Sequence, residues 1–560
     1  MNASPARHAV DNALNRIEQI DRPEIWIALR GAEELHREAD EIDRRCAAGD
    51  ALPLAGRLVA VKDNIDVAGL PTTAGSESYA YRPDADATAV ARLRAAGAIV
   101  VGKTNLDQFA TGLVGTRSPY GAVRNAWDPT RISGGSSSGS AVAVALGVVD
   151  LALGTDTAGS GRVPAALNGI VGVKPTKGTV PATGVVPACR TLDTVTVFAR
   201  ALTLARQATE LMEEPDGIDP LAREAVPSAA SPASATIAVP LPEQLDGLAA
   251  GWREAFESAV ARAAHAGFVI VERDVSPLLE AAQLLYGGAF VAERYSAVGA
   301  HIAAHADLIG TDLDVTVARI ILDGAEPTAH ALFDDMQRLD ELRLRGDAAL
   351  DGCAALLTPT TTWHPTLDEV AAEPIAANSR MGKYTNFANL LDKASLAVPA
   401  GFVDGLPFGV MLTGPAFADQ AIAEIARRID DAPRRLFVVG AHLTGEPLNS
   451  QLVAAGGVCI GEAESDERYR LYALPTEPPK PGLVLDETSG EGARIAGELW
   501  ELPAAGFAEV VSVVPRPLAI GSVQLSHGGR VPGFLATPEA LSGAAEITAH
   551  GGWRAYRDTL

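Results

Sequence analysis

The chain contains little of what marks several large classes of protein. It has only four cysteines in 560 residues, without metal-ligand spacing, so we expect free thiols in a reducing compartment. Lysine and arginine number 46 against 70 acidic residues, and the net charge of −24 argues against nucleic acid as a partner. No apolar run is long enough to cross a bilayer, and the N-terminus lacks a signal-peptide core. We therefore expect a cytoplasmic protein without a membrane partner.

Nucleotide and cofactor signatures are also missing. No Gly-x-x-x-x-Gly-Lys-Ser/Thr string occurs, and the glycine-rich segments lack the spacing of a dinucleotide-binding loop. A Met-Lys-Met biotinylation site is absent as well. We expect no organic cofactor and no metal ion.

The order of apolar segments predicts an α/β protein. Strand-like runs at Leu58–Val61 and Ala98–Val101 flank a helical run at Ala87–Ala96. Residues 8–47 are predicted to be helical, and a helix is expected from Ser276 to about Val298, weakened at Gly287.

The length exceeds one ordinary core, so two domains are expected. Charge and proline interrupt the pattern at Asp430–Arg435, and a new strand follows at Leu436–Val439. We predict domains at residues 1–431 and 436–560, the second smaller and rich in short strands.

Two serines in separate glycine-rich segments, and one lysine, form the strongest candidate for a catalytic site. Ser136 lies in Ser133-Gly-Gly-Ser-Ser-Ser-Gly-Ser140, and Ser160 lies in Gly154-Thr-Asp-Thr-Ala-Gly-Ser-Gly-Arg-Val-Pro164. Lys62 ends an apolar run, where burial would lower its pKa toward that of a useful base. Lysine with serine is a known variant of the hydrolase triad. Taken singly, each residue fits an ordinary turn or a surface position.

These segments resemble the amidase signature family in content, order and spacing, over roughly residues 50 to 425. The resemblance implies a mixed β-sheet core covered by helices. It also implies Ser160 as nucleophile, Ser136 as the bridging serine on a cis peptide and Lys62 as the terminal base. The oxyanion hole would be formed by four backbone amides, those of Thr157, Ala158, Gly159 and Ser160. Arg162 is equally compatible with substrate contact and with anchoring the loop through Asp156 or Asp193.

Two features resemble allophanate hydrolases in particular. One is the loop around Ser160, and the other is the spacing of eight residues between Tyr286 and Arg294, which matches the substrate-binding pair of that family. On one continuous helix these residues would lie about 80° apart around the axis and ~12 Å apart along it, so both could reach one small carboxylate.

The last part of the chain resembles the C-terminal domain of allophanate hydrolases, which is similar to the gamma-glutamyl cyclotransferase-like fold. The matching segments include Val438-Val-Gly-Ala-His442-Leu-Thr-Gly and Gly497-Glu-Leu-Trp-Glu501. By this resemblance His442 promotes removal of CO2 from the first product. Glu498 and Glu501 are compatible with acid–base roles or with strand-edge surface positions, and His527 is expected in a surface turn.

The resemblance implies an enzyme that hydrolyses allophanate to ammonia and N-carboxycarbamate, with ammonia and CO2 as the net products. We expect a homodimer, and a separate urea carboxylase as the functional partner that supplies allophanate. Two alternatives stay open: a general amidase for another small carboxylated amide, and a catalytically silent assembly subunit.

Overall fold

The structure is a computed structural model that describes residues 5–226, 235–486, 490–526 and 528–560. The chain divides into two compact units, Met1–Arg427 and Arg428–Leu560. Each unit encloses an apolar cluster of its own.

The first unit is built on one sheet. Its strands are β1 (Trp26–Leu29), β2 (Leu58–Lys62), β3 (Ile99–Thr104), β4 (Leu151–Asp156), β5 (Val171–Lys174), β6 (Thr194–Ala199), β7 (Thr236–Pro240), β8 (Val269–Arg273), β9 (Ala355–Pro359), β10 (Ala394–Val403) and β11 (Leu406–Gly414). The 11 strands follow the spatial order β1-β3-β2-β4-β6-β5-β10-β11-β9-β7-β8. β2 is parallel to β3 and β4, and β7 is parallel to β8 and β9, whereas the remaining pairs are antiparallel. The sheet is therefore mixed.

Helices of the first unit cover this sheet. They are α1 (Pro5–Ile20), α2 (Ala32–Ala47), α3 (Thr88–Ala95), α4 (Ser138–Ala145), α5 (Val163–Asn168), α6 (Leu202–Met212), α7 (Trp252–His265), α8 (Ser276–Gly287), α9 (Ala292–Arg294), α10 (Ala300–Ala304), α11 (Val315–Asp323), α12 (Ala329–Ala349), α13 (Leu367–Ala372), α14 (Pro374–Met381), α15 (Phe387–Leu390) and α16 (Asp419–Asp431), which crosses into the second unit. The predicted mixed sheet covered by helices is confirmed.

The centre of the sheet is where the candidate catalytic residues emerge. Every residue of β2 and β4 is buried, as expected for parallel strands covered on both faces. The small side chains of α4 are buried as well, so this helix packs closely on the sheet. Lys62 ends β2, Ser136 lies just before α4, and Ser160 lies in the loop after β4.

The second unit contains a five-stranded sheet in the order β13-β16-β12-β18-β17 and a three-stranded sheet in the order β15-β14-β19. The strands are β12 (Arg434–Val438), β13 (Val458–Glu464), β14 (Tyr469–Leu474), β15 (Lys480–Leu485), β16 (Ala496–Leu502), β17 (Leu518–Gln524), β18 (Arg530–Ala536) and β19 (Ala545–Glu546), and the helices are α17 (Asn449–Ala454), α18 (Ala504–Ser512) and α19 (Trp553–Arg557). Buried aromatic residues such as Phe437, Trp500 and Trp553 belong to its core. The prediction of a smaller, strand-rich C-terminal part is confirmed.

Two predicted helical stretches are wrong in extent. Residues 8–47 are not helical throughout, since β1 separates α1 from α2 and pairs with β3 at the sheet edge. The helix from Ser276 ends at Gly287, and a new helical segment begins at Ala289. The backbone of Gly288 is extended there, which breaks the helix that the apolar pattern alone would continue.

Gly172 on β5 marks a very close approach between the sheet and the Ser160 loop. A Cβ atom at Gly172 would overlap the carbonyl oxygen of Gly161 and crowd the side chain of Ala165. Because one of these contacts is with backbone, no side-chain rotation can relieve it. Only glycine at this position lets the Ser160 loop lie against β5.

We expect Gly172→Ala to destabilise the first unit by about 1–3 kcal/mol, the usual cost of overpacking a tight core. Gly287→Ala is the matched control, because a Cβ at Gly287 meets nothing within 4 Å and this exposed residue lies within helix α8. Calorimetry of the full chain should show a lower unfolding temperature for Gly172→Ala only. Equal unfolding temperatures for the two variants would contradict this account of the loop.

Candidate active site

Lys62 is fully buried at the end of β2, and its partners within the described part of the chain are all neutral groups. Its Nζ lies 2.8 Å from Ser136 Oγ and 2.7 Å from Thr155 Oγ1. Desolvation lowers the pKa of Lys62 to about 7, although three nearby carboxylates oppose this shift. A lysine with such a pKa can exchange a proton with a serine hydroxyl near neutral pH.

Backbone contacts on both sides of Ser136 fix its position. The Gly135–Ser136 peptide bond is cis, and the Ser136 carbonyl accepts the backbone N–H of Asp107 at 3.0 Å. A side chain at Gly135 would overlap the Asp107 carboxylate. The Ser136 hydroxyl is thereby fixed beside Lys62.

Ser160 lies in a loop organised by Asp156. Its Oγ donates to the Gly112 carbonyl at 3.3 Å. Asp156 accepts the amides of Gly159 (2.9 Å) and Gly161 (2.8 Å) and pairs with Arg162 through two nitrogens. Since the Gly159 amide is committed to Asp156, the predicted four-amide oxyanion hole is wrong for Gly159.

Arg162 anchors the Ser160 loop. It is completely buried and also donates to the Thr385 carbonyl and to Asn389 Oδ1, each at 3.0 Å. Of the two roles left open by the sequence, the contacts assign the structural one.

Tyr286 and Arg294 meet despite the break in their helix. Arg294 Nη2 donates to the Tyr286 hydroxyl at 3.0 Å, and Nη1 donates to Thr111 Oγ1 at 2.9 Å. The continuous-helix geometry predicted for this pair is wrong, because Gly288 interrupts the helix between them. Thr111 precedes Gly112, whose carbonyl accepts from Ser160, so the pair lies near the nucleophile candidate.

Arg294 is buried next to a small cavity that Tyr286 lines. The residue is 1% exposed, and its Nε has no hydrogen-bond partner within the described part of the chain. A cavity of about 210 Å³ lies beside Tyr286 and is also lined by Arg117, Arg319 and Asn378. Arg117 and Arg319 bring positive charge to this cavity and Asp323 brings a carboxylate, whereas Arg294 is connected to it through Tyr286.

Two buried carboxylates near the site make contacts that the sequence does not predict, and Asp193, named as a possible partner of Arg162, is not the carboxylate that pairs with it. Asp107 accepts the backbone N–H groups of Val114, Gly115 and Arg117, and Asp193 accepts the hydroxyl of Thr157 and the amides of Ala188 and Cys189. Burial raises the pKa of Asp193 to about 6 and raises the pKa of Asp107 as well. Isolated aspartates in loops carry no sequence signal for such a role.

In the second unit, His442 lines a separate cavity of about 140 Å³. Its ring stacks on Phe534 with centroids 4.7 Å apart, and its Nε2 lies 3.0 Å from Gln451 Oε1. Burial lowers the pKa of His442, so the neutral imidazole is favoured near neutral pH.

Glu498 is buried, so the interpretation as a strand-edge surface residue is wrong for it. Its carboxylate accepts from the backbone and hydroxyl of Thr444, from Trp500 Nε1 and from Arg554. These bonds tie β16 to the loop that carries His442. Glu501 is partly exposed and lies 3.9 Å from Arg435, whereas His527 lies outside the described residues.

Within the described ranges, no cluster of three or more His, Cys, Asp or Glu side chains is arranged to hold a metal ion. Among those same residues, no helix combines the length and the apolar character needed to cross a membrane.

Comparison with known families accounts for both units. Residues 8–423 match the family model "Amidase", and residues 434–558 match the model "Allophanate hydrolase C-terminal domain".

Two similar proteins match this chain over nearly its whole length. It is 42% identical to urea amidolyase of Lachancea kluyveri and 41% identical to that of Saccharomyces cerevisiae, over 100% and 96% of this chain. These matches cover 33% and 31% of the two relatives, so the chain spans about a third of their length. A solved structure titled allophanate hydrolase of Kluyveromyces lactis has a TM-score of 0.71 and 39% identity, covering 99% of this chain and 97% of that one.

The predicted resemblance is thus confirmed over nearly the whole chain: this protein belongs to the amidase family of hydrolases, and an allophanate hydrolase C-terminal domain follows the amidase unit in the sequence.

Proposed function

We propose that this chain is an allophanate hydrolase whose first unit cleaves the substrate amide through Lys62, Ser136 and Ser160. The observation that carries the proposal is the buried Lys62, 2.8 Å from Ser136 Oγ and with its pKa lowered to about 7. The similarity to the allophanate hydrolase of Kluyveromyces lactis supports the choice of substrate.

In the proposed reaction, neutral Lys62 accepts the proton of Ser136, which accepts the proton of Ser160. Ser160 Oγ then forms a bond to the carbonyl carbon of the terminal amide. The C–N bond breaks, the proton returns through Ser136 to the departing nitrogen, and ammonia leaves an acyl-serine. Water hydrolyses this ester by the same proton path and releases N-carboxycarbamate.

Two groups of contacts support this substrate. The developing oxyanion would be bound by the amides of Thr157, Ala158 and Ser160, without the Gly159 amide, which Asp156 holds. Arg294 and Tyr286 would bind the carboxylate of allophanate, because a buried guanidinium is a strong and specific partner for a carboxylate.

In the second unit, His442 would then promote loss of CO2 from N-carboxycarbamate by supplying a proton to its nitrogen. The likeness of this unit to the gamma-glutamyl cyclotransferase-like fold stays a prediction.

Several wider properties also remain proposals. We place the enzyme in the cytoplasm as a homodimer, with a urea carboxylase supplying allophanate from a separate chain. A general amidase for another small carboxylated amide is the main alternative, because the triad alone does not select the substrate.

Replacing the serines tests the assignment of nucleophile. Ser160→Ala should abolish ammonia release from allophanate, because covalent catalysis has no substitute for the nucleophile. Ser136→Ala should lose several orders of magnitude, and the double variant should be little worse because both serines serve one path. Ser137→Ala, whose hydroxyl bonds to the Thr155 carbonyl, should retain most activity. Substantial ammonia release by Ser160→Ala would rule out this nucleophile.

The pH dependence tests Lys62 as the base. Because the base is the neutral amine, kcat/KM for allophanate should fall tenfold per pH unit below about 7 and level off above it. Asp193→Asn removes a second group whose pKa lies near this range, and it should shift the pH dependence to slightly lower pH without abolishing it, because the Asp193 charge raises the pKa of Lys62. If kcat/KM instead falls below a pH near 10.5, the ordinary pKa of lysine, the assignment is contradicted.

Arg294→Met tests recognition of the carboxylate. Loss of a charge-assisted hydrogen bond should lower kcat/KM for allophanate about tenfold to hundredfold. The loss should be smaller for a neutral amide substrate. Arg82→Met is the matched control, because Arg82 is an exposed arginine of the same unit that does not line this cavity. Equal losses of Arg294→Met on both substrates would make Arg294 purely structural and would favour a general amidase.

A further inference from the structure

The cavity beside His442 combines apolar walls with a single cation. Most of its lining is aliphatic or aromatic, with Val510, Val513, Leu518 and Phe534 among the walls. The polar side chains that line it are those of His442, Gln451 and Lys480. At about 140 Å³, it has room for several water-sized groups and hence for a small organic anion.

Lys480 is placed beside His442 by backbone packing. It begins β15, and the next residue, Pro481, packs directly on Gly440 in the loop that carries His442. The contact is so close that a side chain at Gly440 would overlap the Pro481 ring. This contact fixes the backbone of Lys480 next to the loop that carries His442, and both residues line the cavity.

The ammonium of Lys480 is not committed to a carboxylate of the protein. Lys480 is the only lysine in residues 428–560, and it is half-buried. Within the described ranges, no Asp or Glu lies within salt-bridge distance of it, whereas Glu498 and Glu546 pair with Arg554 and Arg470. Its positive charge reaches His442, where it contributes to the lowered pKa of the imidazole.

Such a cavity suits a carboxylate that is about to become neutral. An anion that enters apolar surroundings loses its hydration and needs a cation in compensation. Loss of CO2 converts a carboxylate into an uncharged molecule, so apolar walls favour the product over the starting anion. Neutral His442 has Nε2–H directed at Gln451 Oε1, which leaves Nδ1 as the basic atom of the ring.

We propose that Lys480 binds one carboxylate of a small dicarboxylate in this cavity, while the other carboxylate lies against the apolar wall and departs as CO2. The proposal rests on the proposed function, in which that dicarboxylate is N-carboxycarbamate. The C–N bond to the departing carboxylate breaks, its electron pair stays on nitrogen, and that nitrogen takes up one proton that His442 Nδ1 has first accepted from water. A dianion and one proton thus give carbamate and CO2.

The experiment follows carbon-13-labelled allophanate by NMR in the full-length protein. Lys480→Met removes the charge but keeps most of the stem, and we expect N-carboxycarbamate to persist about tenfold to hundredfold longer than with the unchanged protein. The rate of the first ammonia release should not change, so this step serves as an internal standard. Lys480→Arg should restore the short lifetime to within a few-fold, and His442→Ala should lengthen it as Lys480→Met does.

Arg530→Met is the matched control, because Arg530 is an exposed cation of the same unit that bonds to Gln524. An unchanged lifetime of N-carboxycarbamate in Lys480→Met would overturn the proposal. Equal lengthening of that lifetime by Lys480→Met and Lys480→Arg would overturn it too, because it would indicate an effect of packing instead of charge. Failure of the proposed function looks different. In that case the unchanged protein would release no ammonia from allophanate, or would leave N-carboxycarbamate to decay at its rate in buffer.

Discussion

The arrangement of the first unit depends on a lysine that has been taken out of water. An ammonium buried without a bonded counter-ion is strongly disfavoured, and the usual outcome is a lowered pKa. Lys62 shows this outcome, since its two closest partners are the hydroxyls of Ser136 and Thr155. The nearby negative charge matters as well, because its complete loss would lower the pKa of Lys62 further and leave a weaker base.

Three buried aspartates near Lys62 keep its pKa at this level, because their carboxylates are bonded to other groups and not to Lys62 itself. Asp156 is paired with Arg162, Asp107 is bonded to three backbone amides, and Asp193 is bonded to Thr157 and two amides. Each one raises the pKa of Lys62 from a distance without forming a salt bridge with it. The same carboxylates shape the loops that hold Ser136 and Ser160. The network that sets the electrostatics of the site therefore also sets its geometry.

The extent to which the sequence predicts this structure depends on the range of the interactions involved. Short apolar runs such as Leu58–Val61 specify strands locally, and glycine-rich segments specify the turns around Ser136 and Ser160, so both were predictable. Glu498 bonds to Thr444 and Arg554, which are distant in the chain, and Asp107 and Asp193 act on the equally distant Lys62, so no local pattern predicts these roles. The meeting of Tyr286 and Arg294 was predicted for the wrong geometric reason, because tertiary packing brings them together across the break at Gly288.

The central claim is that Ser160 forms a covalent acyl intermediate with the substrate. Rapid acid quenching of the full-length protein during turnover of labelled allophanate, followed by peptide mass spectrometry, tests it directly. The account predicts a labelled acyl group on Ser160, within the peptide that contains Thr157 and Arg162. An acyl group on Ser136 or on another residue, or label that never becomes covalently attached while ammonia is released, would contradict it.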